Sequence, residues 1–157
     1  MNEEELKEIL RKLREQGWNP LLCDTPVPLY DTAVRCGQPT EAYGECPDKI
    51  MLPKDLLSMQ LEFTIWVKGD SMKDAGIFDG DRVIIDRAVE PHTGSIVVAF
   101  WNGEFTMKYL DLTHKADGYI ELKPANKEYP VFKVKAGDSF EVWGVVIHLI
   151  RTFETLH

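Results

Sequence analysis

The sequence predicts a mainly β protein: a compact β domain behind an extended N-terminal arm that carries one short amphipathic helix. Three observations lead there. Seven runs rich in β-branched and aromatic residues follow one another at 62–68, 81–86, 95–101, 103–110, 119–123, 131–134 and 140–150. Six of the nine prolines crowd into residues 20–53, and proline bars helix interiors and central strands. Only near the start do apolar residues recur at helical spacing, as Leu6, Ile9, Leu10 and Leu13.

Composition agrees with a folded domain. The 157 residues suit one domain with an appendage, and 44% hydrophobic with 10% aromatic content supplies a real core. No apolar run approaches the roughly 18 residues that a spanning helix needs, so no membrane association is expected. The chain opens on Glu3-Glu4-Glu5 rather than on a basic region followed by an apolar one, so no secretory signal is expected either. A formal net charge of −8 disfavours direct binding to nucleic acid. Cys23, Cys36 and Cys46 are odd in number and lack close pairs, which argues against a disulfide framework or a zinc knuckle. A cytoplasmic protein without metal or cofactor is the expectation.

The elements are justified in chain order. Residues 3–16 form a helix that Asn2 can cap with Glu5 three residues on, and Gly17 can stop. Its acidic start and its trailing Lys12 and Arg14 complement the helix dipole, and Glu3–Lys7 and Glu8–Lys12 are spaced to pair. Such a stripe packs on its own domain or a symmetry mate, or recognises a partner. One helix cannot make a helix-turn-helix. Residues 20–53 should be an extended arm with little regular structure, within which Ala33 to Pro39 reads locally as a turn. Residues 53–59 fit one helical turn. The strands that follow are separated by Pro91, Gly94, Asn102-Gly103, Asp117-Gly118, Pro124 and Gly137-Asp138.

Between the first two of these strands lies Lys68-Gly69-Asp70-Ser71-Met72, with Ala75-Gly76-Ile77-Phe78-Asp79-Gly80-Asp81 close behind. Glycine allows a sharp bend and close approach of a ligand to the backbone, so Ser71 sits where a side chain can be presented. Gly-Asp-Ser taken alone is equally a glycine-rich connection. Lys108 lies in the strand entered through Asn102-Gly103, flanked by Phe105, Met107, Tyr109 and Leu110. That setting can desolvate the amine, and a desolvated lysine can become a base. Asp70, Asp79 and Asp81 do not fit calcium-loop spacing and read as turn formers. His148 reads as a core or edge histidine, and His92, His114 and His157 as exposed loop residues.

Taken jointly, Gly69-Asp70-Ser71-Met72, Gly76-Ile77, Asp79-Gly80-Asp81 and Glu104 to Lys108 resemble the Ser–Lys self-cleaving proteins of the bacterial DNA-damage response. That family includes LexA, phage repressors and UmuD. The resemblance spans residues 34–150 and takes in Asn126, Tyr129-Pro130 and Trp143 to His148. It implies Ser71 as nucleophile and Lys108 as general base, then general acid, with the backbone N–H groups of Ser71 and Met72 as oxyanion hole. A solvated lysine has a pKa of about 10.4, and bringing it near neutrality costs its charged form roughly 4 kcal/mol, within reach of burial. The peptide bond cut in the family lies between a small residue and glycine. Cys36-Gly37 matches that position, with Val34 as apolar anchor, dividing the chain into 1–36 and 37–157. Glycine after the scissile carbonyl leaves the nucleophile's approach unobstructed.

The resemblance further implies a homodimer and cleavage stimulated by a RecA filament on single-stranded DNA, which favours docking of the cleavage segment. Repressors carry a DNA-binding domain ahead of the cut, and one helix does not supply it. The short arm and acidic balance therefore point to the UmuD-like branch, whose trimmed members serve error-prone translesion synthesis with a UmuC-like polymerase subunit. The helix at 3–16 departs from that branch. A LexA-like or phage-repressor-like regulator, a non-cleaving binding module, and a protease acting on other chains are the competing readings.

Overall fold

The computed structural model describes residues 3–16, 25–30, 48–58 and 62–154. Among these residues one helix, α1 (Glu3–Glu15), precedes nine strands: β1 (Thr25–Tyr30), β2 (Asp48–Leu52), β3 (Glu62–Trp66), β4 (Arg82–Asp86), β5 (Ile96–Trp101), β6 (Glu104–Asp111), β7 (Tyr119–Lys123), β8 (Phe132–Lys135) and β9 (Phe140–Ile150). The protein is mainly β, as its sequence predicts, and each of the seven expected runs is a strand. Short 3₁₀ turns at Lys54–Leu56, Lys73–Ala75 and Lys115–Asp117 join them. Asn2, Gly17, the three cysteines, Gly37 and His157 lie outside the described residues, as do the apolar side chains of α1. In α1, Lys7 pairs with Glu3 at 3.0 Å, whereas Glu8 is taken by Arg11 rather than by Lys12. Among the described residues no helix is long and apolar enough to cross a membrane.

The strands hydrogen-bond in the order β2-β1-β3-β4-β9-β5-β6-β7-β8. All neighbours are antiparallel except β1 and β3. β9 holds the two halves together, pairing with β4 through residues 145–150 and with β5 through residues 140–145. Register shifts at Ile84/Ile85 and Val98/Ala99 accompany that handover. Gly144 sits at the crossing, where a Cβ would lie 2.4 Å from Ile85 Cγ2.

The arm departs from expectation. Residues 25–30 and 48–52 form a five-pair antiparallel ladder, and β1 lies inside the sheet between β2 and β3. Pro26 and Pro28 lie in the ladder with β2 but precede the pairing with β3, which takes in only Leu29 and Tyr30, so along the prolines β1 has a strand neighbour on one side only, as an edge strand does. Val27 is buried with Leu52 and Ile84, which anchors the ladder.

Period-two alternation sends side chains to opposite faces. Phe63, Ile65, Val83, Ile85, Val98 and Met107 share one core with Met72, Ile77 and Trp143. Val97, Ala99, Leu110, Leu122, Val134 and Val145 make a second core. On β6, Thr106, Lys108 and Leu110 alternate with Phe105 and Met107, so Lys108 lies on the strand face that holds Leu110.

Candidate active site

The Ser71 turn is built by short bonds between the ends of β3 and β4. The Val67 N–H donates to Asp81 O at 2.8 Å, and the Gly80 N–H to Val67 O at 3.0 Å. Gly69 has φ +83°, a left-handed conformation that glycine adopts without strain, and its N–H donates to Asp79 Oδ1 at 2.7 Å. Asp81 accepts from the Phe78 N–H at 2.8 Å and from the Arg151 guanidinium at 2.6 and 2.9 Å. The guanidinium holds the Asp81 carboxyl below the usual carboxylate range. Asp70 accepts a hydrogen bond from the Tyr129 hydroxyl at 2.5 Å. All three aspartates thus brace the turn.

Lys108 enters from β6, whose residues 104–109 pair with β5 across the Asn102-Gly103 turn. The lysine is 5% exposed. Its Nζ lies 3.1 Å from Ser71 Oγ, 2.7 Å from Thr106 Oγ1 and 3.1 Å from Met107 O. The Phe132 ring stands 5.6 Å away. Burial pushes the amine down from its ordinary value to about 8. The structure therefore brings together Ser71 and Lys108, 37 residues apart in the chain.

Three contacts around one nitrogen have a chemical consequence. A neutral amine has two N–H donors and one lone pair. Thr106 Oγ1 and Met107 O can take the two donors, leaving the lone pair for the Ser71 hydroxyl proton. Thr106 carries no role in the sequence reading, although its position two residues before Lys108 puts it on the same strand face. Among the described residues, the N–H groups of Ser71 and Met72 donate to no protein acceptor.

A cleft of about 660 Å³ opens over the pair, lined by Gly69 to Met72, the Trp101-Asn102 turn, Glu104 to Lys108, Tyr129 and Phe132. Phe105, Met107 and Phe132 contribute apolar wall beside polar residues, and Lys108 is buried where Ser71 is only half-buried. The cleavage position read from the sequence, Cys36-Gly37, lies outside the described residues. His148 is far from this chemistry in role: its Nε2 lies 2.7 Å from Leu56 O and ties β9 to the 3₁₀ turn. His114 stacks on Tyr119 at 4.8 Å on the surface.

Fold and site together define a β domain that sets a buried lysine against a half-buried serine. The chain belongs to the Peptidase S24-like family, whose model matches residues 28–147. It is similar to the LexA repressor of Paracidovorax citrulli (strain AAC00-1), with 36% identity over 118 residues, 75% of this chain and 51% of the relative. It is also similar to the LexA repressors of Syntrophotalea carbinolica (37% identity; 82% of this chain, 61% of the relative) and Bordetella pertussis (34%; 88% and 62%). The chain thus spans about half to three-fifths of the length of these relatives.

Proposed function

We propose that this chain is a self-cleaving regulatory protein of the LexA/UmuD-like class, with Ser71 as nucleophile and Lys108 as base. The observation that carries the reading is the buried Lys108 amine 3.1 Å from the Ser71 hydroxyl. Serine becomes nucleophilic only when a neighbouring group removes its proton. Neutral Lys108 takes that proton as Ser71 Oγ attacks the carbonyl carbon of Cys36. The N–H groups of Ser71 and Met72 hold the oxyanion. Collapse breaks the Cys36–Gly37 C–N bond, and the Lys108 ammonium returns the proton to the departing Gly37 amine. Water, deprotonated by Lys108, then hydrolyses the ester on Ser71. Residues 1–36 leave with a new carboxylate and 37–157 with a new amine. A tethered cleavage segment needs no affinity of its own, because tethering supplies a high effective concentration.

A RecA filament on single-stranded DNA stimulates this reaction, and the chain forms a homodimer. The name LexA repressor on its relatives favours a repressor-like role in DNA-damage regulation. The UmuD-like reading, in which the trimmed chain serves translesion synthesis with a UmuC-like subunit, shares the same cleavage and differs only in its partner. A non-cleaving module of the same fold leaves the pair unused.

The test is to incubate pure protein from about pH 6 to about pH 10, with and without the filament, and to weigh the fragments under denaturing conditions. Masses matching 1–36 and 37–157 are expected. An uncut chain under every condition refutes self-cleavage, and a cut elsewhere refutes the Cys36-Gly37 assignment. Cleavage of a separate peptide alone assigns the chain to proteases acting in trans.

A further inference from the structure

Asn126 lies across the chain from the Ser71 turn and does not line the cleft over it; it borders a smaller pocket that shares only Tyr129 with that cleft. It is 5% exposed. Its Oδ1 accepts the Glu128 N–H at 3.0 Å, which identifies the other end of the amide as the donor, and Nδ2 donates to Asp70 O at 3.0 Å. The neighbouring Ala125 N–H donates to Ser71 O at 2.8 Å, and Ala125 O accepts the Asp74 N–H at 2.7 Å.

These bonds set two peptide planes. The Asp70 carbonyl and the Ser71 N–H belong to one peptide unit, and the Ser71 carbonyl and the Met72 N–H to the next. No peptide bond here is cis, so in each unit the C=O and N–H point in opposite directions. Both carbonyls are bound by residues 125–126, and the Asp70 carbonyl also accepts the Lys73 N–H at 3.2 Å within the turn. Both N–H groups therefore face away from that segment, and the other side of the turn is the cleft.

We infer that Asn126 is a positioning residue that, with the Ala125 N–H, aims the Ser71 and Met72 N–H groups at the oxyanion. The inference rests on the self-cleavage reading and adds a residue to it. Without the Asn126 donor the Asp70 carbonyl keeps only the longer bond from the Lys73 N–H at 3.2 Å, so the 70–71 peptide is held less firmly and its N–H swings from the line to the oxyanion while Ser71 and Lys108 stay in place.

The experiment compares full-length wild type, Asn126→Asp, Asn126→Ala and Ser71→Ala. Asn126→Asp keeps the shape and turns the donor toward Asp70 O into an acceptor; Asn126→Ala introduces no charge and serves if the aspartate variant does not fold. The readouts are the first-order self-cleavage rate against pH, and affinity for a peptide boronate that forms a tetrahedral adduct on Ser71. Losing one oxyanion donor costs about 10²–10³-fold in rate, and a misaimed donor should cost roughly 10- to 100-fold. The expected result is that loss in rate, a matching loss in boronate affinity, and an unchanged pH midpoint. Folded Asn126 variants with wild-type rate and boronate affinity overturn the inference while leaving the parent reading intact. A shifted midpoint at unchanged boronate affinity overturns it as well, because Asn126 then acts through Lys108. Undiminished cutting by Ser71→Ala, or a wild type that neither cleaves nor binds boronate, overturns the parent reading and this inference with it.

Discussion

Replacing Lys108 with methionine keeps an unbranched side chain as far as Cε and deletes the charged nitrogen, so it separates what burial costs from what the amine does. The unfolded chain holds this proton up to the ordinary value of 10.5, whereas the folded chain releases it above about 8. Between those values the unfolded state binds more protons, so wild-type stability climbs with pH across that window. Below about 8 both states are protonated, and burying the charge costs about 3 kcal/mol; above about 10.5 that cost is gone. The substitution also strips partners from Met107 O and Thr106 Oγ1, which costs about 1 kcal/mol. Near neutral pH, Lys108→Met should therefore be the more stable protein by about 2 kcal/mol, and above about pH 10.5 it should be the less stable by about 1 kcal/mol. Urea unfolding of Ser71→Ala against Ser71→Ala/Lys108→Met, across pH, makes the comparison without self-cleavage intervening. In active protein the cleavage rate should rise about tenfold per pH unit and level off above about 8. At pH 7 about one molecule in ten carries the neutral amine. A rate midpoint near 10.5, or parallel stability curves for the two proteins, refutes the claim that burial prepares this lysine as a base.

The remaining predictions address the nucleophile, the cut and the scaffold. Ser71→Ala should abolish cleavage at every pH with unfolding little changed, read by fragment mass and urea titration. Gly37→Val should block cleavage by crowding the scissile carbonyl while leaving the stability profile due to Lys108 unaltered. Gly144→Ala forces a methyl to within 2.4 Å of Ile85 Cγ2 and should destabilise by about 1–3 kcal/mol in urea unfolding. Cleavage at 36–37 severs β1 from β2 in sequence but not in the sheet, where β1 is inserted with Val27 buried. Fragment 1–36 should therefore co-elute with 37–157 in native gel filtration and separate in denaturant. Immediate separation after cleavage refutes that expectation.

What could be read along the chain was whatever neighbouring residues decide by themselves. The β-branched run in residues 82–86 and the alternation in 104–111, with Asn102-Gly103 between β5 and β6, are local chemistry, and so is the apolar setting of Lys108. Tertiary structure decided what depends on distant segments meeting in register. Pro26 and Pro28 argued against an inserted strand; β1 is nonetheless inserted, because its pairing with β3 begins only at Leu29. Asn126 is an ordinary loop residue until the fold sets it against Asp70, 56 positions earlier. Thr106 shares a strand face with Lys108 by periodicity, but its hydroxyl becomes an acceptor only when the amine is too buried to reach water. The 3.1 Å between Ser71 and Lys108 likewise follows from no spacing in sequence. It arises because β9 joins β4 to β5 and so carries the turn after β3 to the face of β6, where the buried amine meets the Ser71 hydroxyl beside Thr106 Oγ1 and Met107 O.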